Sequence, residues 1–470
     1  MNRSTVREAA KSPDRRFRPV LWLIPALLAV VAYRFLTGAI WPVELPTGEV
    51  AITGDFIDLQ VYRLGVEALR EGGNMYGELP KTGVGISLPF IYPPFAALVL
   101  GPFALLPWDP AAFLFFYTSV AALAVTLYLV ARRIWPARGQ LHTALFATAC
   151  ALPLAMLLEP VWATLNFGQV NLLLMALVAA DVLAREPKWR RGMLIGLAAA
   201  IKLTPAAFVL YFLVKKDYRS AITAAVTGAV ATLISFAILP KASVEYWFHG
   251  MGNVSGLSGS SFHTNQSIQA VLARFGIEKP LFTLLWLALS ALLLVLVVIA
   301  MRRVLDFPPL ALAINAVFTL LVSPISWSHH WVMIAPALFA MFGYALRFPW
   351  PRRLRWFAVT ALTAWIFVYG PQNWLPGDDE RELSWTTWQR IEGNTYVWLS
   401  VLLVLLLLVA TRRSSAAQGG ADFVDAGVDQ GLAVDQDRRG DFVAAGDRAD
   451  GRGGLGVANG DLPERNSGGA

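Results

Sequence analysis

The chain has 470 residues, 56% of them hydrophobic and only 15% charged, with a formal net charge of +7. A soluble globular domain carries about 25% charged residues, so this composition excludes a soluble enzyme and belongs to an all-α polytopic membrane protein. The basic residues come in short clusters between apolar runs, as in cytoplasmic loops and not as on a nucleic-acid-binding face, and the single cysteine, Cys150, excludes a disulfide framework and a cysteine-based metal site.

Residues 1–18 are polar and basic and stay in the cytoplasm by the positive-inside rule. The apolar run from Pro19 to about Ile40 has the roughly 20 residues a bilayer requires. It lacks a small-residue cleavage site after it and reads as a retained first span. It delivers residues 41–90 to the outer side. There Asp58 to Arg70 has helical spacing, with Leu59, Tyr62, Val66 and Leu69 on one side, which predicts a helix lying along the membrane surface.

The stretch 91–107 is short and broken by Pro93, Pro94, Pro102 and Pro107. If it spans, Arg132, Arg133 and Arg138 end outside; a re-entrant or interfacial course puts them in the cytoplasm and is the preferred reading. Residues 111–131 then run inward, 141–158 outward, and 170–185 back to Arg185, Lys188, Arg190 and Arg191. Residues 192–214 lie between two basic clusters with Thr204-Pro205 at their midpoint. A single span cannot begin and end on one side, so this predicts two half-helices in a hairpin within the bilayer, each on the order of 15 Å long.

Residues 220–240 go out, and 241–280 form a second large outer loop with its own amphipathic piece, Ile268 to Phe275. The runs 281–301, 308–322, 331–346, 356–370 and 393–411 then alternate until Arg412-Arg413. The expectation is about twelve membrane helices with both termini inside, a membrane domain over 19–411, and a tail over 412–470. From Ser414 onward the tail is Gly, Ala and Asp with scattered Arg; it cannot bury a core, is expected to be disordered, and is given no role in chemistry.

This topology gathers four polar clusters on the outer face: Asp55 and Asp58; Asn166, Gln169 and Asn171; His263, Asn265 and Gln266; and Trp327 with His329 and His330. Their convergence argues for an outward-facing site. An inverting glycosyl transfer needs one carboxylate to take the proton from the attacking hydroxyl, and Asp58 is the candidate; the competing reading is that Asp55 or Asp58 caps the surface helix. Adjacent histidines point in different directions on a helix, so at most one of His329 and His330 is expected to face the site. There it would stabilise a phosphate, whereas the plainer reading is an interfacial pair beside Trp327 and Trp331. Lys202, a cation inside the apolar hairpin, and Arg274 are candidates for a lipid phosphate, or else for snorkelling and headgroup contact. Tyr62, Tyr92, His263 and Trp327 join Asn166, Gln169, Asn171, Asn265 and Gln266 as candidates for contact with a sugar or acceptor. A His–carboxylate metal site at Asp58 lacks a ligand pattern, and no cofactor is implied, although a divalent metal stays open.

Asp58-Leu59-Gln60-Val61-Tyr62, Tyr92-Pro93-Pro94-Phe95, Gly168-Gln169-Val170-Asn171, Lys202-Leu203-Thr204-Pro205, Asn265-Gln266-Ser267 and Ser323-Pro324-Ile325-Ser326-Trp327-Ser328-His329-His330-Trp331, in this order, closely resemble the actinobacterial polyprenyl-phosphate-mannose-dependent α-1,2-mannosyltransferases. The resemblance covers roughly 19–411 and leaves out both tails. It implies a GT-C glycosyltransferase fold with large periplasmic loops in the plasma membrane. It also implies a polyprenyl-phosphate mannose donor and a mannosylated lipid acceptor, such as a phosphatidylinositol mannoside or lipomannan. Asp58 occupies the position of the family's base, Asp55 is a neighbouring acid of less clear role, and a histidine of the Ser-His-His turn belongs to the family's active site. The rivals are a polyprenyl-phosphate-arabinose-dependent arabinofuranosyltransferase, a lipid-linked sugar transporter or flippase, and a non-catalytic scaffold subunit. Against a transporter, the acids of interest sit in outer loops and not at the midplane of paired repeats.

Overall fold

In the computed structural model the described residues are 19–37, 56–250, 259–377 and 380–411. Asp55, the tail 1–18 and the tail from 412 lie outside them, and so do the readings placed on them above. Among the described residues no strand forms, and the one extended pairing is an isolated bridge between Asn265 and Trp327.

The first helix, α1 (Leu23–Leu36), is followed by α2 (Ile57–Arg70), which carries Asp58 in its first turn. Next come α3 (Pro94–Leu105) and α4 (Trp108–Ile134), each opening just after a proline or with one as its first residue. At twelve residues, α3 is about 18 Å long, well short of a bilayer's thickness. Then follow α5 (Leu141–Met156), α6 (Glu159–Phe167), α7 (Asn171–Leu183) and α8 (Met193–Ile201). Beyond α8 the backbone at Lys202 is extended (φ −147°, ψ 132°) before a 3₁₀ turn, Thr204–Phe208, leads into α9 (Val209–Val214). The two half-helices read from 192–214 are therefore present, with Lys202 at the break. The second half of the chain holds α10 (Tyr218–Ile238), α11 (Pro240–Val244), α12 (Ile268–Arg274), α13 (Leu281–Arg303), α14 (Pro308–Val322), α15 (Ile334–Ala345), α16 (Trp350–Tyr369), α17 (Thr387–Gly393) and α18 (Thr395–Thr411).

Among the described residues three helices, α4, α10 and α13, are long and apolar enough to cross a membrane. The number rises to five if two sharply bent pairs each count as one span, 138–156 with α6 (74°) and α17 with α18 (66°). Their outward faces are apolar. Ile222, Val226 and Leu233 on α10 and Leu284, Leu287, Leu292 and Val295 on α13 are all exposed. In water such faces would be a large unpaired apolar patch; hydrocarbon is the solvent they fit.

Small residues let the helices meet closely. A Cβ at Gly196 would lie 2.3 Å from the Ala224 carbonyl oxygen, so α8 and α10 cross with backbones in contact. The N-terminus of α8 is closed by Asp181, whose carboxylate accepts from the Gly192 and Ile195 amides at 2.9–3.0 Å and from the Trp189 indole at 3.0 Å. In α12, Ile268, Gln269, Ala270, Val271, Leu272 and Arg274 are all buried. Only Ala273 of this helix is partly exposed, so it is an internal helix and not the amphipathic surface piece expected over Ile268 to Phe275, of which Phe275 alone is exposed.

Candidate active site

A cavity of about 1410 Å³ opens between α2, α6, the Lys202 break, the 323–330 turn, residues 373–377 and Arg381. Asp58, Tyr92, Asn166, Gln169, Lys202 and both histidines are among the residues that line it.

Asp58 is placed by a corner built on a glycine. Gly168 ends α6 in the left-handed region (φ +66°), and a Cβ there would sit 2.9 Å from both Leu59 Cβ and Phe56 Cδ1. A side chain at 168 would push the start of α2 away. Phe56, itself at φ +45°, donates its amide to the Asn166 carbonyl at 3.2 Å, and α2 begins at the next residue. Among the described residues no side chain caps this helix, so Asp58 is an acid of the first turn and not its cap. Burial pushes the Asp58 carboxyl up to about 6, against the opposing pulls of the Lys202 ammonium and a hydrogen bond with Gln169.

Gln169 is fixed in turn. Tyr62 Oη donates to Gln169 Oε1 at 2.9 Å, and Gln169 Nε2 donates to Tyr92 Oη at 2.8 Å. Tyr62 itself is buried behind this layer and does not line the cavity.

Lys202 Nζ donates to Asn171 Oδ1 at 3.0 Å, lies 3.3 Å from His330 Nε2, and sits 5.5 Å from the centre of the Tyr92 ring. Asn171 therefore holds the lysine from behind and is not among the cavity's lining residues. The histidines lie on a 3₁₀ turn, Ser328–Met333, whose residue Trp331 is not helical. Because this turn is not α-helical, both rings line the cavity, at right angles and 4.7 Å apart, where α-helical spacing allowed only one. The His329 carbonyl accepts from Thr164 Oγ1 at 2.7 Å and from Asn171 Nδ2 at 2.9 Å. Burial, with Lys202 adding to it, pushes His329 down to about 3 and His330 well below the usual histidine range. Both rings are thus neutral, and Lys202 is the cation on this wall.

The structure corrects the reading of Arg274 as a phosphate ligand. Its guanidinium is fully buried and donates to the carbonyls of Ser261 (2.9 Å), Phe262 (2.6 Å), His263 (3.1 Å) and Asn265 (2.7 Å) and to Asn394 Oδ1. It ties down the 261–265 loop and does not reach the cavity. Asn265 and Gln266 likewise join loops: the Ser326 amide donates to Asn265 Oδ1 at 2.9 Å, and Gln266 Nε2 donates to the His263 and Gly393 carbonyls at 2.9 and 2.7 Å. His263 and Trp327 do line the cavity. His263 is held by Glu382, whose Oε1 accepts from the His263 amide at 2.9 Å and lies 3.3 Å from Nδ1.

Glu159 was not singled out by the sequence. It lines the cavity, is 3% exposed, and accepts from Ser328 Oγ at 2.7 Å and from Tyr396 Oη at 2.9 Å. One carboxylate therefore joins the histidine turn to α18. The available signal was an acid flanked by apolar Leu157-Leu158 and Pro160-Val161. Arg381, also unassigned from sequence, lines the mouth. Among the described residues no three His, Cys, Asp or Glu side chains cluster as a metal site would require.

Residues 90–324 match glycosyltransferase family 87. The chain is 37% identical over 391 residues, 79% of its length and 87% of the relative's, to the polyprenol-phosphate-mannose-dependent alpha-(1-2)-phosphatidylinositol mannoside mannosyltransferase of Mycolicibacterium smegmatis. It is 30% identical over 358 residues, 75% of its length and 79% of the relative's, to the corresponding phosphatidylinositol pentamannoside mannosyltransferase of Mycobacterium tuberculosis. An alpha-(1->3)-arabinofuranosyltransferase of Corynebacterium glutamicum is 27% identical over 336 residues, 69% of this chain and 73% of that one.

Proposed function

The chain belongs to glycosyltransferase family 87, and from that membership we propose that it moves mannose from polyprenyl-phosphate mannose to a phosphatidylinositol mannoside, forming an α-1,2 linkage with inversion. The observation that carries the mechanism is the Asp58 carboxyl on the wall of a large cavity, held beside Lys202 and Gln169.

Asp58 takes the proton from the acceptor 2-hydroxyl. That oxygen attacks the anomeric carbon from the face opposite the phosphate. The bond from carbon to phosphate oxygen breaks, its electron pair leaves with the phosphate, and a β-linked donor yields an α product. Polyprenyl phosphate departs as a dianion, so the Lys202 ammonium lowers the barrier, and the neutral imidazoles of His329 and His330 can donate N–H bonds to phosphate oxygens. Tyr92, Asn166, Gln169, His263 and Trp327 are left to meet sugar hydroxyls and faces.

The same reading takes the fold as GT-C, with about twelve membrane helices over 19–411 and the cavity facing the periplasm. The orientation is supported by the basic loops. Arg133 donates to the Leu183 carbonyl and Arg185 to the Pro136 carbonyl, both at 2.8 Å, while Arg347 pairs with Asp306; none of these residues lines the cavity. Positive clusters knit together away from the site are what a cytoplasmic face requires. Relatives named for arabinofuranosyl transfer are more distant.

The test is transfer in vesicles holding the purified chain and a phosphatidylinositol mannoside. Polyprenyl-phosphate mannose should give a product that an α-1,2-mannosidase trims back, and polyprenyl-phosphate arabinose should give none. Arabinose transfer, or a mannose product resistant to that enzyme, overturns the reading.

A further inference from the structure

Three aromatic rings outside the reaction chemistry form one stack. Trp365 and Tyr369 have ring centres 5.6 Å apart with planes 6° from parallel, and Tyr369 and Trp374 are 5.6 Å apart at 10°. The Trp374 indole donates to the Tyr369 carbonyl at 2.9 Å, which fixes the third ring on the second. All three remain exposed, at 61%, 41% and 42%. The stack begins on the outward face of α16, where Leu354 and Leu362, also exposed, share a helix face with Trp365 and Tyr369. It ends at Trp374, which lines the cavity. The neighbouring Asn373 bonds to Glu159, and Glu159 holds Ser328 just before the two histidines. The row therefore runs from the exposed face of α16 to the wall that carries the histidine turn.

Ring geometry decides what such a row can hold. Near-parallel rings with centres 5.6 Å apart are slipped past one another and overlap only at their margins, so the row presents a continuous apolar strip three rings long. A pyranose stacks on one ring; an extended hydrocarbon can lie along all three. Resting on the mannosyltransferase reading above, the geometry points to Trp365, Tyr369 and Trp374 as a binding strip for the polyprenyl chain of the donor. The chain's own phosphate sets the direction. With that phosphate beside Lys202 and the histidine turn, the hydrocarbon leaves the cavity past Trp374 and runs outward over Tyr369 and Trp365. The acceptor's acyl tails hang from a headgroup separated from the reacting hydroxyl by its sugars, whereas the donor's hydrocarbon starts at the phosphate itself.

Exposed tryptophans also anchor membrane proteins at the headgroup level. The two roles part on donor chain length. In vesicles holding the full chain, KM would be measured for a full-length polyprenyl-phosphate mannose and for a two-isoprene analogue too short to reach Trp365. Trp365→Ala, and Tyr369→Ala as a second variant, should raise KM for the long donor by about five- to tenfold, with the short donor's kinetics unchanged. Trp388→Ala, a tryptophan 71% exposed and outside the stack, should leave both donors unchanged. Equal changes for both donors, no change for either, a shift in acceptor KM instead, or the same long-donor loss in Trp388→Ala would overturn the strip. Wild-type protein that turns over neither donor would instead overturn the mannosyltransferase reading, and the strip with it.

Discussion

Asp58 is pulled between stability and reactivity. Its folded pKa of about 6 lies above the unfolded value of 3.8, so the folded state favours the protonated acid. The stability this gives is present below the unfolded pKa and is lost as pH rises through about 6. Catalysis needs the opposite form. The expected kcat/KM falls tenfold per pH unit below about 6, and a pH profile checks it. Asp58→Asn should reduce transfer below detection while leaving the melting temperature at pH 7.5 equal to or above that of the wild type; retained turnover would remove Asp58 as base. Lys202 and Arg274 invite a contrast, since the sequence offered both for one task. Lys202→Met removes the cation facing the cavity and should raise donor KM and lower kcat. Arg274→Met takes a donor from four loop carbonyls; those of Phe262 and His263 keep a second donor, from the Asn265 amide and Gln266, so the cost of about 1–3 kcal/mol for each group left unpaired falls on Ser261 and Asn265. It should lower thermal stability and the active fraction, while the molecules still folded keep the wild-type donor KM in a titration of active sites.

At the scale of elements, the site is a set of helix ends and breaks. Gly168 closes α6 and admits the start of α2, the extended residue at 202 divides α8 from the turn that follows, and a 3₁₀ turn presents the histidines. Gly168→Ala places a Cβ against Leu59 and Phe56 in a left-handed backbone that costs an L-residue about 1–2 kcal/mol. It should lower the melting temperature and reduce kcat, because Asp58 lies two residues beyond Phe56. A substitution that lowered stability alone, with kcat unchanged, would show that the corner does not set the base. Glu159 and Thr164 on α6 and Asn171 at the start of α7 hold the histidine turn by three hydrogen bonds, two of them to the His329 carbonyl. Motifs far apart in sequence are thus parts of one joint.

At the scale of the whole molecule, apolar helix faces turn outward and polar side chains turn inward to a cavity larger than a single sugar needs. The composition of 414–470 gives it no means to bury a core, so a chain ending at Arg413 should keep wild-type turnover in vesicles; a loss of more than about half would assign the tail a function. Membrane residence, helical class and the positions of Asp58, Lys202 and the histidine turn could be read along the chain, because hydropathy, charge clustering and short motifs are local properties. The interrupted helix over 192–214 was legible for the same reason: two basic clusters and a Thr-Pro pair are visible in one stretch. Only tertiary structure decided which polar residues face the cavity. Arg274, Asn265 and Gln266 have the same side-chain chemistry whether they meet a ligand or a neighbouring carbonyl, and that choice lies in partners brought from Ser261–His263, Ser326 and Gly393–Asn394 by folding. Glu159 is the converse case: an unremarked acid in an apolar run became a hub once Ser328 and Tyr396, 169 and 237 residues away, closed on its two oxygens.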